Sequence, residues 1–286
     1  MSEFFAVLYQ YLLPKRILNR LACWFAGWNG GAATAAAVAA FARRYHVDMH
    51  EAAEPDLLAY TNFNDFFTRA LRPDARPLAK TDLVCPADGA ISECGAIASG
   101  QIFQAKGHHY STQALLGGDA ELAKKFENGS FATIYLSPRD YHRIHMPCTG
   151  RLVRMIHVPG SLFSVNPLMA RKIPGLFARN ERVVCVFDSE QGLFALVLVG
   201  AVIVGGVETV WHGAVTPPHK RRMSLWNYEG NEDIVELTQG AEMGRFKLGS
   251  TVVALFSRQD MRLAPGWLPG KSVKMGEAMG SFSAIP

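Results

Sequence analysis

Past Pro77 the chain is broken into short runs rich in β-branched and aromatic residues, separated by Gly, Pro, Asn and Asp. The clearest are "SFATIYLS" (130–137), "GRLVRMIHV" (150–158), "RVVCVFD" (182–188), "LFALVLVG" (193–200), "VETVW" (207–211) and "STVVALF" (250–256). Each is too short for a buried helix, and no long helical pattern lies between them. Strands this closely spaced return as neighbours, which argues for a largely antiparallel β core rather than βαβ units. "GGDAELAKKFENG" is the one helical pattern inside this region. The longest apolar run, "LFALVLVGAVIVGGV" (193–207), is glycine-interrupted and too short to span a bilayer, and reads as two buried strands with a bend.

The residues before Pro77 follow a different period. Phe4, Phe5, Leu8, Tyr9, Leu12 and Leu13 recur at helical spacing up to Pro14. A second stripe, Ile17, Leu18, Leu21, Trp24, Phe25 and Trp28, closes at Gly30-Gly31. With Arg16 and Arg20 it suits a helix lying in a membrane interface. It suits equally a helix packed on its own core or on a partner subunit. "AATAAAVAAFARRY" is a strong helix former with basic residues at its C-terminal end. "NFNDFFTRAL" offers Asn62 or Asn64 as N-cap, and "RPDARP" ends the helical region. The expected class is therefore α+β, with a helical region over 1–75 and a β-rich region over 76–286.

Composition narrows the functional classes. A formal net charge of +4 without a dense Lys/Arg run carries no nucleic-acid signal, and a mild positive excess suits an anionic membrane surface. The 5 cysteines are widely spaced and form no C-x-x-C, so a disulfide framework or zinc knuckle is not expected and a reducing compartment is the default. The first apolar stretch is interrupted by Gln10 and its basic residues follow it, which is not a secretory signal pattern.

Three segments hold candidate chemistry. "CPADGAISECG" contains Asp88-Gly89, which by itself reads as a turn. "LSPRDYHRIHMPCTG" holds His142 and His145, an i, i+3 pair that on a helix would share a face and could ligate a metal. Pro138 and Pro147 leave little room for that helix, and no HExxH occurs, so acid–base work or surface polarity is favoured and no metal is expected. "RFKLGSTVVALF" places Gly249-Ser250-Thr251 at the entry to a strand, where a turn is the plain reading. Residue types alone leave an Asp88, His145 and Ser250 triad as one choice among many.

Several segments together resemble the phosphatidylserine decarboxylase family: "FNDFFTRALRPDARP" (63–77), "CPADGAI" (85–91), "LSPRDYHRIHMPCTG" (136–150), "PGSLFSVNP" (159–167), "NERVV" (180–184) and "LGST" (248–251). LGST is weak by itself. The histidine segment is far more specific, and the segments occur in family order across nearly the whole chain.

The resemblance implies a proenzyme that cuts itself between Gly249 and Ser250 into a long chain, 1–249, and a short chain, 250–286. Ser250 would attack the Gly249 carbonyl, with His145 as base and Asp88 orienting the imidazole. Residue 250 would end as a pyruvoyl group, the Schiff-base site and sole cofactor, with no metal and no pyridoxal phosphate. His142 would donate the proton after carbon dioxide leaves phosphatidylserine, yielding phosphatidylethanolamine. The helices at 3–28 would then dock peripherally on the cytoplasmic face of a bacterial inner membrane. Leu162, Phe163, Ser164, Val165 and Asn166 are candidate substrate contacts. Arg182 is a candidate for a phosphate or carboxylate, or for a structural ion pair. The two chains would form a heterodimer, with higher homo-oligomers expected. Two rivals remain: a serine hydrolase, against which stands the missing G-x-S-x-G around Ser250, and a non-catalytic membrane adaptor that stays uncut.

Overall fold

The apolar runs pair into a nine-stranded antiparallel sheet. Its main path is Ser224–Asn227, Gly150–Val158, Arg182–Asp188, Phe194–Val199, Ser250–Phe256, Ser130–Leu136, Gly89–Ala96 and Ser272–Val273, with Glu236–Leu237 also pairing to Gly150–Val158. A computed structural model of the chain describes residues 3–202, 206–216, 222–230, 234–247 and 250–283.

The Ser250–Phe256 segment, here called the serine strand, lies in the interior of this sheet. It pairs with Ser130–Leu136 on one side (Ser250 opposite Leu136, Phe256 opposite Ser130) and Phe194–Val199 on the other. Alternate residues feed two different clusters. Val252, Ala254 and Phe256 join one core, and Val253 and Leu255 join the other. A strand covered on both faces has no polar face, which is why its sequence is a continuous apolar run. Each of its large side chains contributes about 1.5–3 kcal/mol by leaving water.

Asp88-Gly89 is not a simple turn. Gly89 opens the strand Gly89–Ala96, and a Cβ there would lie 2.4 Å from the Tyr135 carbonyl oxygen. Only a glycine lets the two backbones close and sets Asp88 at the sheet's end.

A second, four-stranded antiparallel sheet has the order Gly213–Ala214, Val207–Thr209, Glu242–Phe246, Arg143–His145. Its last member, the histidine strand, carries the HRIH sequence. Glu242 pairs with His145 and Gly244 with Ile144, so Met243 is an extra residue opposite the histidine strand. Such a bulge bends the strand and re-aims the side chains beside it.

The N-terminal region is helical as its periodicity predicts: α1 Glu3–Leu12, α2 Lys15–Gly27, α3 Ala32–Tyr45 and the short α4 Phe63–Phe67. Asn62 is the N-cap of α4, its Oδ1 accepting from the Asp65 N–H at 3.0 Å. Phe63, Phe66 and Phe67 pack with Val38 and Ala42 of α3 in a separate apolar cluster. The Arg143 Nε–H donates to the Thr68 carbonyl at 2.8 Å, tying the end of α4 to the histidine strand. α1 has no fully buried residue and α2 only Ala26. Phe4, Leu12 and Trp24 are 70%, 73% and 68% exposed. Among the described residues no helix is long and apolar enough to cross a membrane.

Candidate active site

His145 is held from three sides. Its backbone N–H donates to the Pro86 carbonyl at 2.8 Å, which sets it against the segment leading to Asp88. Its Nδ1 lies 2.8 Å from the Gly240 carbonyl oxygen, and its Nε2 lies 3.1 Å from the Tyr141 hydroxyl. A carbonyl only accepts, so Nδ1 carries the proton and Nε2 presents a lone pair, which accepts from Tyr141 O–H. Burial lowers the His145 pKa, against the opposing pull of the Gly240 bond and the Glu242 carboxylate, so the ring is neutral near pH 7.

His142 is completely enclosed. Its Nδ1–H donates to the Asp140 carbonyl at 2.8 Å, and the Phe67 ring centroid lies 4.0 Å from its own. Burial pushes its pKa down to about 3. Its Nε2 is buried without a hydrogen-bond partner.

Two backbone contacts bring Ser250 to these histidines. Ser250 lies opposite Leu136, and the Phe246 N–H donates to the His142 carbonyl at 3.0 Å. Ser250 and Phe246 are thereby tied to Leu136 and His142 at the two ends of the segment that leads to the histidine strand. By strand alternation Ser250 faces the same side of the sheet as Val252, where Ile144 and Met146 also pack. Ser250 is 1% exposed, and the hydroxyls of Ser250 and Thr251 have no partner among the described residues. Buried polar atoms are seldom left so. Gly249, the other half of the expected cleavage site, lies outside the described residues.

Asp88 does not hold the His145 ring, as the triad expectation required. Its carboxylate takes Arg76 Nε at 3.0 Å, Arg76 Nη2 at 2.5 Å and the Met275 N–H at 2.9 Å. Arg76 in turn bonds Glu51 at 2.6 Å, and Lys274 bonds Glu51 at 2.7 Å. The imidazole is oriented by the Gly240 carbonyl instead. A main-chain carbonyl carries no residue-type signature, so it could not be read from side-chain motifs.

The other expected contacts are spent on packing. Leu162, Phe163 and Val165 are buried. The Ser164 N–H donates to Gln10 of α1 at 3.0 Å, and Tyr11 packs edge-on against Phe163. Asn166 caps the short helix Pro167–Lys172. Arg182 is neither an open anion site nor an ion pair, because its guanidinium donates to the carbonyls of Leu115, Asn180 and Ala114. The His142/His145 metal geometry also fails on local structure: these residues belong to an extended segment, where an i, i+3 pair does not share a face.

An open cavity of ≈ 430 Å³ lies beside the site, with Asp88, Arg76, Arg69, Tyr141 and Lys274 in its wall. Ser250, His142 and His145 are not part of that wall. Motif reading passed over Arg69, although it lies inside "FNDFFTRALRPDARP".

The phosphatidylserine decarboxylase family model matches residues 63–281, and a second model, described as PSD, matches residues 5–46. The chain is 65% identical over 279 residues to the phosphatidylserine decarboxylase proenzyme of Methylibium petroleiphilum, covering 98% of each chain. It is 60% identical over 285 residues to that of Variovorax paradoxus, covering 100% of each, and 59% identical over 284 residues to that of a Polaromonas species, covering 99% of this chain and 100% of the other. With a model spanning both sheets and relatives matched end to end, the chain belongs to the phosphatidylserine decarboxylase family.

Proposed function

We propose that this chain cuts itself at Gly249-Ser250 and then decarboxylates phosphatidylserine to phosphatidylethanolamine. The observation that carries this is the Ser250 hydroxyl: buried, without a partner, at the start of an interior strand clamped to the histidine segment.

In self-cleavage the Ser250 Oγ attacks the Gly249 carbonyl carbon, and the amide becomes an ester. A serine hydroxyl is a poor nucleophile until a base takes its proton. His145 Nε2 is the available lone pair, since Nδ1–H is committed to Gly240; Tyr141 must release Nε2 first. Asp88 acts through its charge rather than a bond, lowering the cost of the imidazolium. Removal of the residue 250 Cα proton with cleavage of the Cβ–Oγ bond releases the Gly249 carboxylate, and hydrolysis of the resulting enamine at residue 250 expels ammonia.

The two chains stay together after the cut. The short chain begins with the serine strand, hydrogen-bonded along both edges to strands of the long chain. Its apolar side chains lie in both cores, so separation would expose them all.

A pyruvoyl carbonyl at position 250 supplies an electron sink for the electron pair left on the substrate Cα as carbon dioxide departs. The Ser250 Oγ and His142 Nε2, unpartnered among the described residues, suit such a group together with an amine-bearing substrate. His142 Nε2, protonated once the substrate is bound, gives its proton to the substrate Cα after the carboxylate has left as carbon dioxide. Burial, which keeps this ring neutral at rest, makes its protonated form a strong acid.

The lipid substrate gives the exposed helices a purpose. Phe4, Leu12, Ile17, Leu21 and Trp24 are uncovered on α1 and α2, next to Lys15 and Arg16. An apolar stripe beside basic residues lies in the interface of an anionic bilayer, giving peripheral attachment, here to the cytoplasmic face of a bacterial inner membrane.

Intact masses of the purified protein, combined with carbon dioxide release from phosphatidylserine vesicles, test this reading. Two species cut at 249/250 and release of carbon dioxide are expected. A single full-length species that still turns over substrate would sink it.

A further inference from the structure

Two arginines of this chain are deeply buried without a carboxylate in ion-pair contact among the described residues, and they differ in one respect. Arg182 has its guanidinium occupied by three main-chain carbonyls. Arg69, only 5% exposed, has one long bond, Nη2 to the Arg139 carbonyl at 3.3 Å. Its Nε–H is buried with no partner among the described residues. Its Cζ lies 5.5 Å from the centroid of the Phe66 ring, which offers little compensation.

The other cationic side chains named around the ≈ 430 Å³ cavity are answered by acids. Arg76 pairs with Asp88 and Glu51, Lys274 with Glu51, and Arg139 with Asp140 at 3.8 Å. Arg76 holds the Glu51 carboxyl down to about 2, so Glu51 stays ionised and committed. Arg69 lines the same cavity with its charge unanswered. A buried guanidinium with unused donors costs several kcal/mol unless an anion arrives to take them. Arginine's planar fork suits a carboxylate or a phosphate oxygen pair.

Arg69 is also joined to the histidine segment through α4. It follows α4 by two residues, and Phe67 of that helix covers His142. The lipid headgroup offers two anions. The carboxylate loses its charge as carbon dioxide forms, so a guanidinium on it would stabilise the ground state more than the transition state and slow the reaction. The phosphodiester keeps its charge throughout, and binding it positions the substrate without that penalty.

We propose that Arg69 is the anion-binding residue that receives the phosphodiester of the substrate headgroup. This rests on phosphatidylserine being the substrate. Binding that is equal in ground and transition states appears in KM and leaves kcat almost untouched.

The test uses the processed enzyme with short-chain phosphatidylserine, and short-chain phosphatidylethanolamine as a competing ligand that has the phosphodiester but no carboxylate. Arg69→Met is expected to cleave normally by intact mass and to raise KM by about tenfold or more, with kcat changed less than about threefold. The inhibition constant of phosphatidylethanolamine should rise by the same factor as KM. Arg69→Lys, which keeps the charge but loses the fork, should fall between wild type and Arg69→Met in both constants. A raised KM with an unchanged inhibition constant would place Arg69 on the carboxylate and overturn the proposal. So would wild-type constants in either variant, or a loss confined to kcat. If Arg69→Met does not fold, Arg69→Lys decides alone: a joint rise in both constants supports phosphate binding, and wild-type values make Arg69 structural. Wild-type protein that released no carbon dioxide would instead refute the substrate assignment.

Discussion

The serine strand and the first two helices are similarly apolar and end in opposite surroundings. Val252 to Phe256 are buried between two cores with both backbone edges paired. Phe4, Tyr9, Ile17 and Trp24 stand in the open. Hydrophobicity specifies that a surface must leave water, not what it must leave water for. In the β core the cover is the rest of the chain, which leaves the Ser250 hydroxyl and the His142 Nε2 buried without partners among the described residues. On the helices nothing among the described residues supplies the cover, and a contiguous exposed apolar surface of this kind marks an interaction site. The proposed function places chemistry in the first region and lipid contact in the second.

The sharpest break of that division is Ser250→Ala, which should leave a single uncut chain and no decarboxylation, while vesicle binding persists. Loss of vesicle binding as well would mean that the two regions are not independent. Next is His142→Ala. It should still yield two chains on a denaturing gel, with carbon dioxide release reduced by about 10²–10⁴-fold. A block in cleavage instead would merge the roles of the two histidines. A smaller effect tests the dryness of the site. Burial depresses the His145 pKa, so its neutral, base-competent form persists at pH values where an ordinary histidine, near 6.5, is already protonated. Cleavage of freshly translated precursor should therefore lose rate only below about pH 6.5. A midpoint at or above that value would show a solvated ring. The mildest change is Leu21→Ser with Trp24→Ser on α2. Weaker co-sedimentation with anionic vesicles is expected, with stability shifted by no more than about 0.5 kcal/mol, as for other surface substitutions. A large fall in melting temperature would show that these side chains pack on protein.

Much of this arrangement was legible beforehand, and the failures have a common cause. The strands at 130–136, 150–158, 182–188, 194–199 and 250–256 stand where β-branched runs and turn residues put them, because period and punctuation are local properties. Asn62 caps α4 for the same reason. Asp88, His142, His145 and Ser250 were found through motif resemblance, and the fold does bring their segments to one end of the sheet. What each side chain holds was not legible. Asp88 is bound to Arg76 and Met275 rather than to His145. Leu162, Phe163 and Val165 fill a core, and Asn166 caps a helix. Arg69 and Arg182 looked alike as sequence and differ in what surrounds them.

The sequence by itself determined the α+β class, the helix-to-strand change near Pro77 and the family, because these follow from periodicity and from motifs contiguous along the chain. Only the tertiary structure decided that the Gly240 carbonyl sets the His145 tautomer, that Arg182 is saturated while Arg69 is not, and that the N-terminal stripes stay uncovered. Those outcomes depend on hydrogen bonds and burial between residues tens to hundreds of positions apart. No local pattern encodes them, and each exists only once the strands have taken their register.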